Sequence, residues 1–190
     1  MKRILLFVCI AIFFAACGGA GASKLDIKAG GKNSTLNVKS SGSGTATKTF
    51  TDKEGKMSTA STTSIYLASY DMDTTHVGTM SKPLTAVDQM RVGMSLVGEE
   101  GSTDKSPLKV GTYKAGPNEK YNKVDWLSVS SFADGKETKT DFDTNFSTSK
   151  ITGEVKITAV TADSISGEID VTDGDKSIKG TFTVKTAAKK

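Results

Sequence analysis

Met72, His76 and Met80 recur at a spacing of four residues. Thioether and imidazole donors suit copper, and on a continuous strand all three would share one face. Asp71, Asp73 and Gly78 read as loop residues that break this alignment, and methionine commonly serves as core filler. The three therefore stand only as candidate ligands, and no metal is expected. Asp170, Asp173 and Asp175 offer oxygen atoms to calcium but lack the D-x-[DN]-x-[DN]-G order and its distal glutamate. Turn formation at Asp173-Gly174 accounts for one of them already. His76 is the single histidine, so a Ser-His-Asp triad and a His-rich zinc centre both lack parts. No G-x-S-x-G, P-loop or G-x-G-x-x-G motif is present in the context that its chemistry needs. The expectation is a chain without catalytic residues or cofactor. Its ligand-binding residues are unassigned, although Trp126 with Tyr66, Tyr70, Tyr113 and Tyr121 would suit an aromatic pocket if they were not simply core.

The elements that would position these residues are strands. With 25 Thr and 21 Ser, and with short alternating segments broken by Gly, Asp and Asn, the chain carries strand and hairpin signals and no long 3.6-residue periodicity. Residues 151–157, 165–171 and 178–184 share the pattern I-x-G-x-apolar-x-apolar. Alternation gives each copy one apolar face, which predicts a three-stranded antiparallel meander with one wet face. A two-residue turn centred on Asp173-Gly174 would pair Ile169 with Ile178, Gly167 with Gly180 and Ile165 with Phe182. The two facing glycines would then leave a notch for a ring such as Trp126, or for a ligand. Asp134-Gly135 and Glu54-Gly55 predict further hairpins, of about 121–132 with 137–146 and about 45–52 with 57–70. Residues 87–96 read as a strand, and Ser40 to Gly44 as a loop. Both parities of residues 121–129 carry apolar side chains, which implies burial on two sides or a bulge. The fold expected is an all-β antiparallel β-sandwich of about 8–10 strands ending in the meander. A calycin-like β-barrel around a small apolar ligand is the alternative.

The chain opens with Lys2 and Arg3, an apolar run from Ile4 to Phe14, then Ala15-Ala16-Cys17. This is a signal-peptide layout, and the run is too short to span a hydrocarbon core that requires about 20 apolar residues. Phe14-Ala15-Ala16-Cys17 resembles the lipobox of bacterial lipoproteins, departing from it at Phe14, where Leu is usual. The resemblance implies diacylation of the Cys17 sulfur, cleavage before that residue, and a durable membrane anchor through several acyl chains. In enterobacterial members, Gly18 after the cysteine implies outer-membrane sorting. Ala20-Gly21-Ala22 forms a competing A-x-A site, whose use would release a soluble protein beginning at Ser23.

The organisation expected is a signal peptide at 1–16, a lipidated N-terminus with a flexible tether at 17–31, and a single all-β domain at 32–187, with Lys24 to Lys28 as a short strand inside the tether being the alternative. Without Lys2 and Arg3 the basic residues fall from 25 to 23 against 21 acidic ones, so the body is nearly neutral. Its lysines are interleaved with acids and threonines, which excludes a nucleic-acid-binding block. Both cysteines, Cys9 and Cys17, lie at the N-terminus, so the body has no disulfide framework. The function expected is a binding or structural role at the cell envelope, with the membrane as the one defined partner.

Overall fold

The computed structural model describes residues 23–145 and 148–186. Cys17 and the whole signal and lipobox region lie outside the described residues. The elements are β1 (Lys24–Ala29), β2 (Lys32–Asn37), β3 (Ser40–Thr51), β4 (Met57–Ala68), α1 (Val77–Met80), β5 (Met90–Glu100), β6 (Gly111–Ala115), β7 (Lys123–Ala133), β8 (Lys136–Asp141), β9 (Ile151–Val160), β10 (Ser164–Asp173) and β11 (Lys176–Lys185). The fold is all-β. Eleven strands form one open sheet in the order β2-β1-β11-β10-β9-β6-β7-β5-β4-β3, with β8 paired to β7. One edge of β7 is divided, its start running parallel to β6 and its end antiparallel to β8.

The inner faces of both halves of this sheet meet in a single core, as in a sandwich. Leu25, Leu36, Ile65, Met94, Leu127, Ile157, Ile169 and Ile178 belong to one buried cluster. Burial of each such side chain stabilises the fold by about 1.5–3 kcal/mol, and the alternation of apolar and polar residues decides which face turns inward. The end of β11 approaches β3 where the Lys185 amide donates to Ser41 Oγ at 3.4 Å.

The hairpins follow turn chemistry. Asp134 and Gly135 have φ of 53° and 75°, the two positive values that a type I′ turn requires, and they join β7 directly to β8. The β3–β4 loop is longer, and Asp52 Oδ1 organises it by accepting from the amides of Glu54 and Lys56 at 2.9 and 2.8 Å.

Several expectations are corrected. The tether reading gives way to its strand alternative from Lys24: residues 24–29 are β1, held on both sides by β2 and β11, with Leu25 fully buried. The expected loop at 40–44 is the start of β3. Its glycines admit close packing, since a Cβ at Gly42 would stand 2.5 Å from Met80 Sδ and one at Gly44 2.3 Å from Val77 Cγ2. The strand expected from 87 begins at Met90, because Gln89 Oε1 caps the amides of Thr85 and Ala86 in a tight turn containing Asp88 at φ 67°.

The last hairpin turns on Gly174-Asp175 rather than Asp173-Gly174. The register therefore slips by two residues, pairing Val171 with Ile178, Ile169 with Gly180 and Gly167 with Phe182. A slip of two keeps the same side chains on the core face, so alternation could not distinguish the two registers. The two glycines do not face each other, and no notch forms for Trp126. Phe182 covers Gly167, where an added Cβ would lie 2.7 Å from its ring.

Candidate functional site

The outer face of β3, β4, β5, β7 and β8 carries a grouping of aromatic and charged side chains with a defined geometry. It begins at Gly93 on β5, opposite Tyr66 of β4 and Ser128 of β7. A Cβ on Gly93 would stand 2.4 Å from Trp126 Cη2 and 3.0 Å from Tyr66, so the missing side chain is what lets both rings lie down on the sheet. The Trp126 and Tyr66 ring centroids are 6.0 Å apart at 55°, and Lys139 Nζ lies 5.5 Å from the Trp126 centroid. Burial raises the Tyr66 pKa, against the opposing influence of Arg91, Lys139 and a hydrogen bond from Ser81. The phenol stays neutral at physiological pH.

Trp126 reaches this face because β7 is bulged. Ser95 pairs with Trp126 and Leu96 with Val124, which leaves Asp125 as the extra residue. A bulge flips the parity of everything beyond it. Val124, Leu127 and Val129 thus all face the core, which explains why both parities of this run are apolar. The bulge carbonyl of Asp125 accepts from Thr144 Oγ1 at 2.7 Å and from Asn145 Nδ2 at 2.8 Å. The Asp125 carboxylate takes Lys48 Nζ at 2.7 and 2.9 Å, with Lys123 Nζ at 3.5 Å from one oxygen. Lys123 is 7% exposed and completes its bonding through Asn145 Oδ1 at 2.8 Å.

At the other end of this face, residues 69–89 run as a strap containing only the short α1. Arg91, 7% exposed, fastens it by donating to the Lys82 carbonyl at 2.5 Å and to Tyr70 Oη at 3.2 Å, with Glu137 Oε1 at 3.5 Å. Glu137 Oε2 in turn accepts the Leu84 amide at 3.0 Å. A buried guanidinium is tolerated only when its donors are paired, and here the partners come from both the strap and β8.

Tyr66, Tyr70 and Trp126 are thus brought together on one face. Tyr121 sits at its far end in an edge contact with Phe50 at 5.5 Å, whereas Tyr113 belongs to the core. Gly93 and the bulge were the local signals for this surface. Arg91 had none, since nothing in the sequence around it announces its partners.

The Met72, His76 and Met80 alignment does not form. The segment is a loop leading into α1, with His76 exposed at its N-cap and Met80, 1% exposed, turned from the strap onto Gly42 of β3. Asp170 and Asp173 point to opposite faces of β10, the first paired with Lys179 and the second with Lys176 and the Asp143 amide. Among the described residues no three His, Cys, Asp or Glu side chains converge as a metal centre.

A cleft of about 370 Å³ opens between the β1–β2 turn and the β7–β8 turn, with Met90, Val129 and Phe132 in its wall and Asp88, Asp134, Lys32 and Lys136 around it. Trp126 and Tyr66 do not line it. No helix of the described residues is long and apolar enough to cross a membrane. No family model, curated protein or solved structure matches the chain.

Proposed function

We propose that the chain is a lipid-anchored envelope protein, held to a membrane through acylated Cys17, whose β domain has a binding or structural role. The observation that carries this reading is the charged start, apolar run and Ala15-Ala16-Cys17 sequence of the first seventeen residues. Gly18 favours the outer membrane.

The position of Ser23 supports a short connection. Its carbonyl accepts the Val38 amide at 3.0 Å and its hydroxyl accepts the Thr183 amide at 2.8 Å, so the fold takes hold of the chain at this residue. Only Gly18 to Ala22 separate Ser23 from Cys17, which limits the spacing between domain and lipid to about 20 Å at full extension. From Ser40, near that end, β3 extends about 35 Å to the hairpin that carries Phe50. The Phe50–Tyr121 end of the outer face would therefore lie farthest from the bilayer, whereas Tyr66 and Tyr70, beside Gly42 and Ser40, stay near the anchored end. A core filled by Leu, Ile, Val and Met side chains supports interaction through the surface rather than enclosure of an apolar ligand.

Mass measurement of the mature protein from bacterial membranes tests the anchor. The expected product begins at Cys17 with acyl chains, and Cys17→Ala moves the protein to the soluble fraction. A soluble wild-type product beginning at Ser23 would reject it.

A further inference from the structure

We infer that the second half of β3, Thr45–Thr51, is a self-pairing edge that joins antiparallel to the same segment of a second copy of this chain, about a twofold axis through Lys48. The two margins of the sheet are β2 and β3. The first half of β3 is approached by β11 at Ser41, whereas among the described residues no strand pairs with the outer side of residues 45–51.

Backbone direction follows from the hairpin. Asp52 N donates to Lys56 O at 3.1 Å, so the even-numbered residues of β3 bond to β4 and the odd-numbered ones turn their N–H and C=O groups outward. Those outward residues are Thr45, Thr47, Thr49 and Thr51. Asp104 reaches Thr47 only through its side-chain hydroxyl, at 2.8 and 3.0 Å, and leaves the backbone groups of Thr47 unused.

Unpaired edges are usually guarded by charge, shortness or cover. β8 is guarded by Lys136, Glu137, Lys139 and Asp141, and six-residue β2 borders the cleft shared with Met90. β3 has twelve residues and a single charge in this half, Lys48, which is turned onto Asp125.

The sequence of the bare half, T-A-T-K-T-F-T, is nearly palindromic about Lys48. A twofold interface requires this kind of self-complementarity. Pairing about Lys48 sets Thr47 against the second copy's Thr49, Thr45 against its Thr51, and exposed Ala46 against its Phe50, small against large. The two Lys48 residues meet as a non-hydrogen-bonded pair, each neutralised by its own Asp125 at 2.7 Å. Every outward Thr backbone group then gains a partner.

Oxidative cross-linking of the full chain in membranes tests this register. Facing residues in a non-hydrogen-bonded pair have Cα atoms about 4.5 Å apart, within disulfide range, whereas two copies of position 45 would be about 20 Å apart. Lys48→Cys should give at least tenfold more disulfide-linked dimer than Thr45→Cys. Because that change also removes the Asp125 partner, co-expressed Thr47→Cys and Thr49→Cys chains provide a second measurement, expected to cross-link only when mixed. Thr49→Pro removes an outward N–H, and should shift the detergent-extracted protein to monomer in sedimentation while leaving its circular dichroism unchanged. Equal cross-linking at positions 45 and 48, or an unchanged sedimentation profile for Thr49→Pro, would overturn the proposal.

Discussion

In the β9–β10–β11 meander alternate residues of β10 are buried and the opposite face is left to water, whereas the middle of β5 is covered on both faces. The meander is held by local hairpin pairing around one apolar stripe. The β4–β5–β7 half instead depends on segments distant in the chain: a strap at 69–89, a bulge at Asp125, and a buried Arg91 that ties β5 to the strap and to β8. Thr, Ser, Gly and Lys recur throughout both regions. Regular alternation suffices for a sheet with one wet face, but covering the second face demands glycine notches, paired charges and a long connection.

The largest effect should come from Gly153 in the meander. It has φ of 101°, and an added Cβ would stand 2.0 Å from the Asp170 carbonyl oxygen on β10. Backbone strain and a clash with backbone together predict that Gly153→Ala destabilises by about 3 kcal/mol or more. Denaturant unfolding measures this, and a loss below about 1 kcal/mol would show that the meander tolerates a local break.

Next is Arg91 on the doubly covered half. Arg91→Met leaves Glu137 and the Lys82 carbonyl without their partner and should cost about 2–3 kcal/mol. It should also raise hydrogen exchange across residues 69–89 selectively. Uniform acceleration over β9–β11 instead would contradict the division of the molecule into two differently supported regions.

The meander should be the acid-sensitive part. Burial alone would raise the Asp173 pKa, but the hydrogen bond and charge of Lys176 and the Asp143 amide outweigh it, so the pKa lies below the ordinary aspartate value. A depressed carboxyl pKa contributes stability above the unfolded value of about 3.9, and that contribution is lost as pH falls through the folded value. Asp173→Asn should therefore lower the melting temperature at pH 7 and flatten its decline below about pH 4. Parallel melting curves of variant and wild type across that window would exclude Asp173 as the origin.

The smallest effect is at Thr62, whose buried Oγ1 has no hydrogen-bond partner among the described residues. Thr62→Val keeps the shape and removes an unsatisfied oxygen, so it should stabilise by up to about 1 kcal/mol. A destabilised variant would reveal a partner for this oxygen on the outer face.

Alternation and turn residues made β9, β10, β11 and the Asp134-Gly135 hairpin legible in the amino-acid sequence. They left the last turn uncertain by one residue, because a two-residue slip buries the same side chains. The candidate surface was only partly legible: Trp126 and its mixed-parity run signalled a bulge, while Tyr70, Arg91 and Glu137 meet through contacts far apart in sequence. The loop-like appearance of Ser40 to Gly44 misled for the same reason. Glycine there makes room for Val77 and Met80, and that need exists only once α1 lies on β3.

By itself, the sequence determined the all-β class, the one-sided pattern of the C-terminal strands and a near-neutral body without cysteine, because each rests on composition or on neighbours within a few residues. The tertiary structure alone decided where the sheet begins, how β7 divides its edge between β6 and β8, and which rings share the outer face. Those features depend on which distant backbone groups and side chains come within a few ångströms of one another, and periodicity along the chain does not encode that distance.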